Sequence, residues 1–83
     1  MDLQDIKPYS TLDARGLTCP MPLLKTKKTL KDVPTGEVLE IWGTDPGSKN
    51  DIPHFGGKNG NAFLGFVDDQ EGFTRYYIRK GEA

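Results

Sequence analysis

Residues 16–34, GLTCPMPLLKTKKTLKDVP, constrain the fold more tightly than any other stretch. Pro22 has no N–H and a φ already near the helical value, so it suits the first turn of a helix, where that donor would find no intrahelical partner. Good helix formers follow in LLKTKKTLKDV, and Pro34, Thr35 and Gly36 read as a stop and turn. A helix over about 22–32 is predicted. At about 100° per residue, Leu23, Leu24, Leu30 and Val33 fall on one broad arc, with Lys25, Lys28 and Asp32 opposite.

Gly16 breaks the chain before this helix, and STLDA ahead of it alternates as a brief strand, with Leu12 and Ala14 on one side and Thr11 and Asp13 on the other. EVLEIWGT alternates too, placing Leu39 and Ile41 on one face and Val38, Glu40 and Trp42 on the other. A second helix is expected from about Ser48, weakened by Pro53 and the pair Gly56 and Gly57. NAFLGFVDD and FTRYYIRK, joined by Gln70, Glu71 and Gly72, read as an antiparallel hairpin. The order is βαβαββ: an α/β (α+β) two-layer sandwich in which two helices cover one face of a four-stranded mixed sheet. Residues 1–9 are expected to form a loosely held tail and residues 10–83 a single domain.

The right-handed crossover rule makes the first two strands parallel and puts both helix N-termini at one sheet edge. The loop carrying Cys19 then lies beside TDPGS, residues 44–48, at the carboxyl ends of the strands, where open α/β folds bind ligands. If the third strand runs the same way, the turn from Asp68 to Gly72 joins them. Cys19 is the one cysteine of the chain. Two readings of it stay open here: a small buried hydrophobe, or a reactive thiol favoured as thiolate by a helix N-terminus. The dipole alone would lower its pKa by less than about one unit.

Lys27 lies two helical turns on from Cys19 and could lean back toward it; it could equally lay its stem on the apolar arc. Arg15 is a second candidate cation, and Asp13, Asp45, Asp68, Asp69 and Glu71 would act against both. A formal net charge of -1 over 83 residues offers no general field for nucleic acid or an acidic membrane, so direct nucleic-acid binding is not expected. No segment nears the roughly 20 apolar residues that span a bilayer, and MDLQDIKPYS lacks a signal-peptide core, so a cytoplasmic location is expected. One cysteine and one histidine fall short of a zinc set, and His54 reads as a surface residue. Lys25, Lys28 and Lys31 form a basic strip that is either solvated or a docking face for an acidic partner. Arg75, Tyr77 and Arg79 should share the open sheet face with Trp42. Gly43 and Gly47 suit turns, since no phosphate-loop spacing is present.

LDARGLTCPMPLLKTKKTL, PTGEVLEIWGTDPGSKNDIPHF and YYIRKG, in that order over residues 11–81, resemble the TusA/SirA-like sulfur carriers, with the CPxP element at Cys19, Pro20, Met21 and Pro22. The resemblance implies the βαβαββ sandwich and a cysteine, here Cys19, that carries sulfur as a covalent persulfide without a separate cofactor. Supporting roles are expected for Pro20, Pro22, Arg15, Lys27 and Asp45. It also implies a relay in which a cysteine desulfurase, rhodanese or DsrE-type protein loads or unloads the thiol, for tRNA thiolation, molybdenum cofactor work or sulfur oxidation; separately, a monomer is expected. The KNGN segment looks more like members tied to sulfur metabolism. Some members carry a further cysteine in or after the second helix; this chain has HFGGKNG there, so discharge should go to a partner. The rival readings are a small autonomous sulfurtransferase and a regulatory binding module without sulfur chemistry.

Overall fold

The computed structural model describes residues 6–18, 20–58 and 60–81. Strand β1 (Ser10–Ala14) leads through the first loop into helix α1 (Met21–Leu30), followed by β2 (Val38–Gly43), α2 (Ser48–Gly56), β3 (Ala62–Asp68) and β4 (Thr74–Arg79). The four strands form one sheet in the order β1-β2-β4-β3. β1 and β2 are parallel, and β4 is antiparallel to both β2 and β3. β3 therefore runs in the direction of β1 and β2 although it touches neither, and the ends of all three open onto one edge. The predicted architecture and element order are both found.

Two helices lie on one face of this sheet, over a core of Ala14, Leu30, Val33, Leu39, Ile41, Ile52, Tyr76 and Ile78. Leu39 and Ile41 face it as their alternation predicts. The β3–β4 register shifts between Phe63 and Gly65, so Leu64 is the extra residue of a bulge. Strict alternation would send Phe63 and Phe66 to opposite faces; the bulge lets Phe63 pack against the core while Phe66 meets Tyr76, ring centroids 6.0 Å apart, on the same face. Phe66 stays exposed at the sheet's margin.

α1 begins one residue earlier and ends two earlier than predicted. Its close uses shorter bonds, from Asp32 N–H to the Thr29 carbonyl and from Val33 N–H to the Leu30 carbonyl, so residues beyond Leu30 continue as turns. The predicted apolar arc needs correction. Leu24 is 49% exposed, and the buried positions of α1 are Pro22, Thr26 and Leu30, one residue per turn along a single line. Thr26 can be buried because its Oγ1 donates to the Pro22 carbonyl at 2.7 Å.

α2 accommodates Pro53 inside it and ends at the glycine pair. Gly56 is buried, and a Cβ there would come within 3.2 Å of Ile78 and of Phe63, so it permits close helix–sheet approach. At the other end of the chain, Tyr9 N–H donates to the Val38 carbonyl at 2.7 Å, extending β1 by one residue. No helix among the described residues is long and apolar enough to cross a membrane.

Candidate functional site

The site is the sheet edge where β1, β2 and β3 end. Gly16, at φ 82, takes the left-handed conformation that turns the chain out of β1, and its N–H donates to Thr44 Oγ1 at 2.9 Å. That bond ties the loop after β1 to the loop after β2. A hollow of about 380 Å³, lined by residues that include Thr44, Asp45, Asp68 and Gly72, joins the β2 loop to the β3–β4 turn. All three predicted segments are thus gathered at one edge. Cys19 itself lies outside the described residues, as does Asn59 of the KNGN segment.

The described residues on either side of Cys19 are hydrogen-bonded. Met21 N–H donates to the Thr18 carbonyl at 2.9 Å and Leu24 N–H to the Pro20 carbonyl at 3.1 Å. Pro20 occupies the cap position and Pro22 lies within the first turn. Of the three residues after Cys19, two have no N–H and the third has donated its own, so none offers a free amide donor. What α1 presents at this end is its dipole and two exposed apolar side chains, Met21 and Leu24. No acidic residue occupies the first turn to oppose that dipole.

Arg15 turns onto the open sheet face. Its Nε and Nη2 donate to Asp13 Oδ1 and Oδ2 at 2.9 and 2.8 Å, and its guanidinium carbon lies 4.8 Å from the Trp42 ring centroid and 5.0 Å from that of Phe73. The hydrogen bonds from Arg15 lower the Asp13 pKa to about 2. Arg75 lies over the same two rings, at 5.5 and 5.4 Å. As predicted, Trp42, Arg75 and Tyr77 meet on this face.

Sequence reasoning missed the centre of that face. Glu40 is only 7% exposed, yet it accepts hydrogen bonds from Trp42 Nε1 at 3.0 Å and Tyr77 Oη at 3.3 Å, with Arg75 Nη1 3.5 Å away. Burial, reinforced by Glu40, raises the Tyr77 pKa. The alternation of β2 puts Glu40 and Trp42 on one face; the partners Tyr77 and Arg75 come from β4 and could not be read locally.

Asp45 accepts from Ser48 N–H through its carbonyl at 3.1 Å, and its side chain lies 3.5 Å from Ser48 Oγ, so it shapes the entry to α2. Of the other acids at this edge, Asp68 is paired with Lys49 at 3.0 Å and Asp69 with Arg75 at 2.7 Å. The Lys49 contact, with a hydrogen bond from Thr74, holds the Asp68 pKa below its ordinary value. Lys27 lies over the Phe55 ring, its Nζ 5.6 Å from the centroid, on the wall of a groove between α1 and α2 that also includes Leu23 and the exposed His54.

Three comparisons bear on this arrangement. The profile of the family described as "Sulfurtransferase TusA" matches residues 10–80. The sulfur carrier protein TusA of Allochromatium vinosum is 47% identical over 69 residues, which cover 83% of this chain and 88% of that protein. YrkF of Bacillus subtilis (strain 168) is 46% identical over 76 residues, 92% of this chain, but the match spans only 40% of YrkF's length. Among solved structures, a SirA-like protein from Desulfitobacterium hafniense superposes with a TM-score of 0.76 at 23% identity, covering 88% of this chain and 99% of that one, which is a likeness of fold.

Proposed function

The chain belongs to the TusA family of sulfur carriers, and from that premise we propose that Cys19 takes up sulfane sulfur as a persulfide and hands it to a partner protein. One observation carries the reading: the only cysteine of the sequence falls two residues ahead of α1, within the matched residues 10–80. The folded surroundings support it. The loop after β1 is anchored to the loop after β2 through Gly16 and Thr44, and α1 starts on prolines, so the described residues flanking Cys19 are held before a partner arrives.

Each step is a thiol–persulfide exchange. The Cys19 thiolate attacks the outer sulfur of a donor persulfide, the new S–S bond forms at Cys19, and the donor's own S–S bond breaks with its electron pair left on the donor thiolate. The outer sulfur keeps its proton until the product persulfide ionises. Discharge is the same exchange in reverse sense: an acceptor thiolate attacks the outer sulfur and Cys19 thiolate leaves. No net oxidant or reductant is consumed. With one cysteine in these 83 residues, the acceptor thiol lies outside them. Donors and acceptors of the cysteine desulfurase, rhodanese or DsrE type fit this exchange, because each presents a cysteine persulfide or thiolate.

The test is intact mass spectrometry after incubation with polysulfide, or with a desulfurase and cysteine. Wild type is expected to gain one sulfur that a reductant removes, and Cys19→Ala to gain none. A wild type that never gains it, or a variant that gains it equally, refutes the proposal.

A further inference from the structure

The groove between α1 and α2 is not used by the chemistry just described, and its composition departs from that of the chain. It has a volume of about 670 Å³, and its apolar lining is Leu23, Leu30 and Phe55. Four lysines line it, Lys27, Lys31, Lys58 and Lys80, against one acid, Asp51. That is a local excess of three positive charges in a chain whose formal net charge is -1. Lys27, Lys31 and Lys58 form no ion pair among the described residues, while the Lys80 ammonium donates to the Leu30 carbonyl at 2.7 Å. The acids collect elsewhere: Asp45, Asp68 and Asp69 line the loop-edge hollow, and two of them are paired with Lys49 and Arg75.

We propose that this groove seats an acidic, apolar-faced segment of the protein with which the chain exchanges sulfur. The assignment rests on the sulfur-carrier reading for the identity of the partner, and on charge and shape for the site. The lining runs along α1 from Leu23 to Lys31, about 12 Å at the helical rise, with the apolar side chains between cations. A small anion would engage one lysine and leave the apolar surface wet. An amphipathic segment with carboxylates beside an apolar stripe fills both requirements, since leucine-type anchors meet Leu23, Leu30 and Phe55 and the acids face the lysines. Its position suits the transfer: the groove starts at Leu23, four residues after Cys19, so a seated partner lies along the helix that follows the thiol.

The test is a titration of the ¹⁵N-labelled full chain with two synthetic peptides of about 14 residues sharing one leucine stripe, the remaining positions being glutamate in one and lysine in the other. The glutamate peptide is expected to shift the amides of Leu23, Lys27, Phe55 and Lys58 and to bind at least about tenfold more tightly than the lysine peptide. That advantage should fall with added salt. The double variant Lys27→Glu/Lys58→Glu should lose the glutamate peptide, and Lys25→Glu/Lys28→Glu, with the same charge change outside the groove, should keep it. Equal binding of both peptides, no binding, shifts centred on Trp42 and Arg75, or equal loss in both double variants each overturn the proposal. Should the groove variant unfold, the wild-type shift map and the contrast between peptides decide alone. Polysulfide loading of Cys19, measured alongside, separates the two readings: loading without peptide contrast removes only the docking site, and failure of wild type to load removes only the sulfur chemistry.

Discussion

Arg15 lies on the open sheet face, gripping Asp13 near the end of β1 and covering Trp42, the register partner of Asp13, and Phe73. Its hold on Asp13 is directly measurable. An NMR titration of wild type is expected to put the Asp13 midpoint at about 2, and Arg15→Gln to return it toward the ordinary 3.8. Because the folded value is the lower one, the pair's stabilising contribution is present above the ordinary aspartate pKa and fades as pH falls through that of the folded state. The stabilities of wild type and Arg15→Gln should therefore differ near neutrality and converge in acid; a difference that grows on acidification would contradict the pairing. Both side chains are well exposed, so the effect on stability is small. Glu40 is the opposite case. Glu40→Ala strands the Trp42 Nε1 and Tyr77 hydroxyl donors and leaves Arg75 with Asp69 alone, and urea denaturation should show a loss of about 2 kcal/mol. A change within a few tenths would mean that water replaces Glu40 without cost.

Helix and strand positions were legible because proline, glycine and alternation are local signals, and these placed all six elements. The facing of α1 was not. Leucine content pointed to Leu24, whereas the sheet buries the line through Pro22, Thr26 and Leu30. Which line of a helix packs is decided by the surface beneath it, and a threonine that returns its hydroxyl to the backbone is cheap to bury. Gly56 and Gly57 read as weaknesses of α2, which follows from propensity alone; against Ile78 and Phe63, Gly56 is a packing requirement. Gly56→Ala accordingly sets helix propensity against contact. The 3.2 Å approaches to two buried or partly buried partners should dominate, with a loss of about 1–2 kcal/mol in a thermal or urea melt. A gain of stability would show that α2 can lift from the sheet.

At the scale of the whole molecule, the loop edge was legible and the groove was not. The edge follows from strand direction, which the βαβ crossover rule supplies, and the Gly16–Thr44 bond joins the two loops that rule brings together. The groove joins α1, α2 and the region around Lys80, segments far apart in sequence whose lysines look like ordinary solvated charge until the fold assembles them. The same assembly divides charge into a basic channel between the helices and an acidic hollow at the strand ends. Sheet order adds a consequence for how the protein is made. β4 lies between β2 and β3, yet it is the last of the four strands to leave the ribosome. Until it emerges β3 has no neighbour, Leu39 and Ile41 lack Tyr76 and Ile78 beneath the helices, and Lys80 is not there to meet the end of α1. The nascent chain can form β1, α1 and β2 as a partial unit, but closure of the domain waits for its final strand.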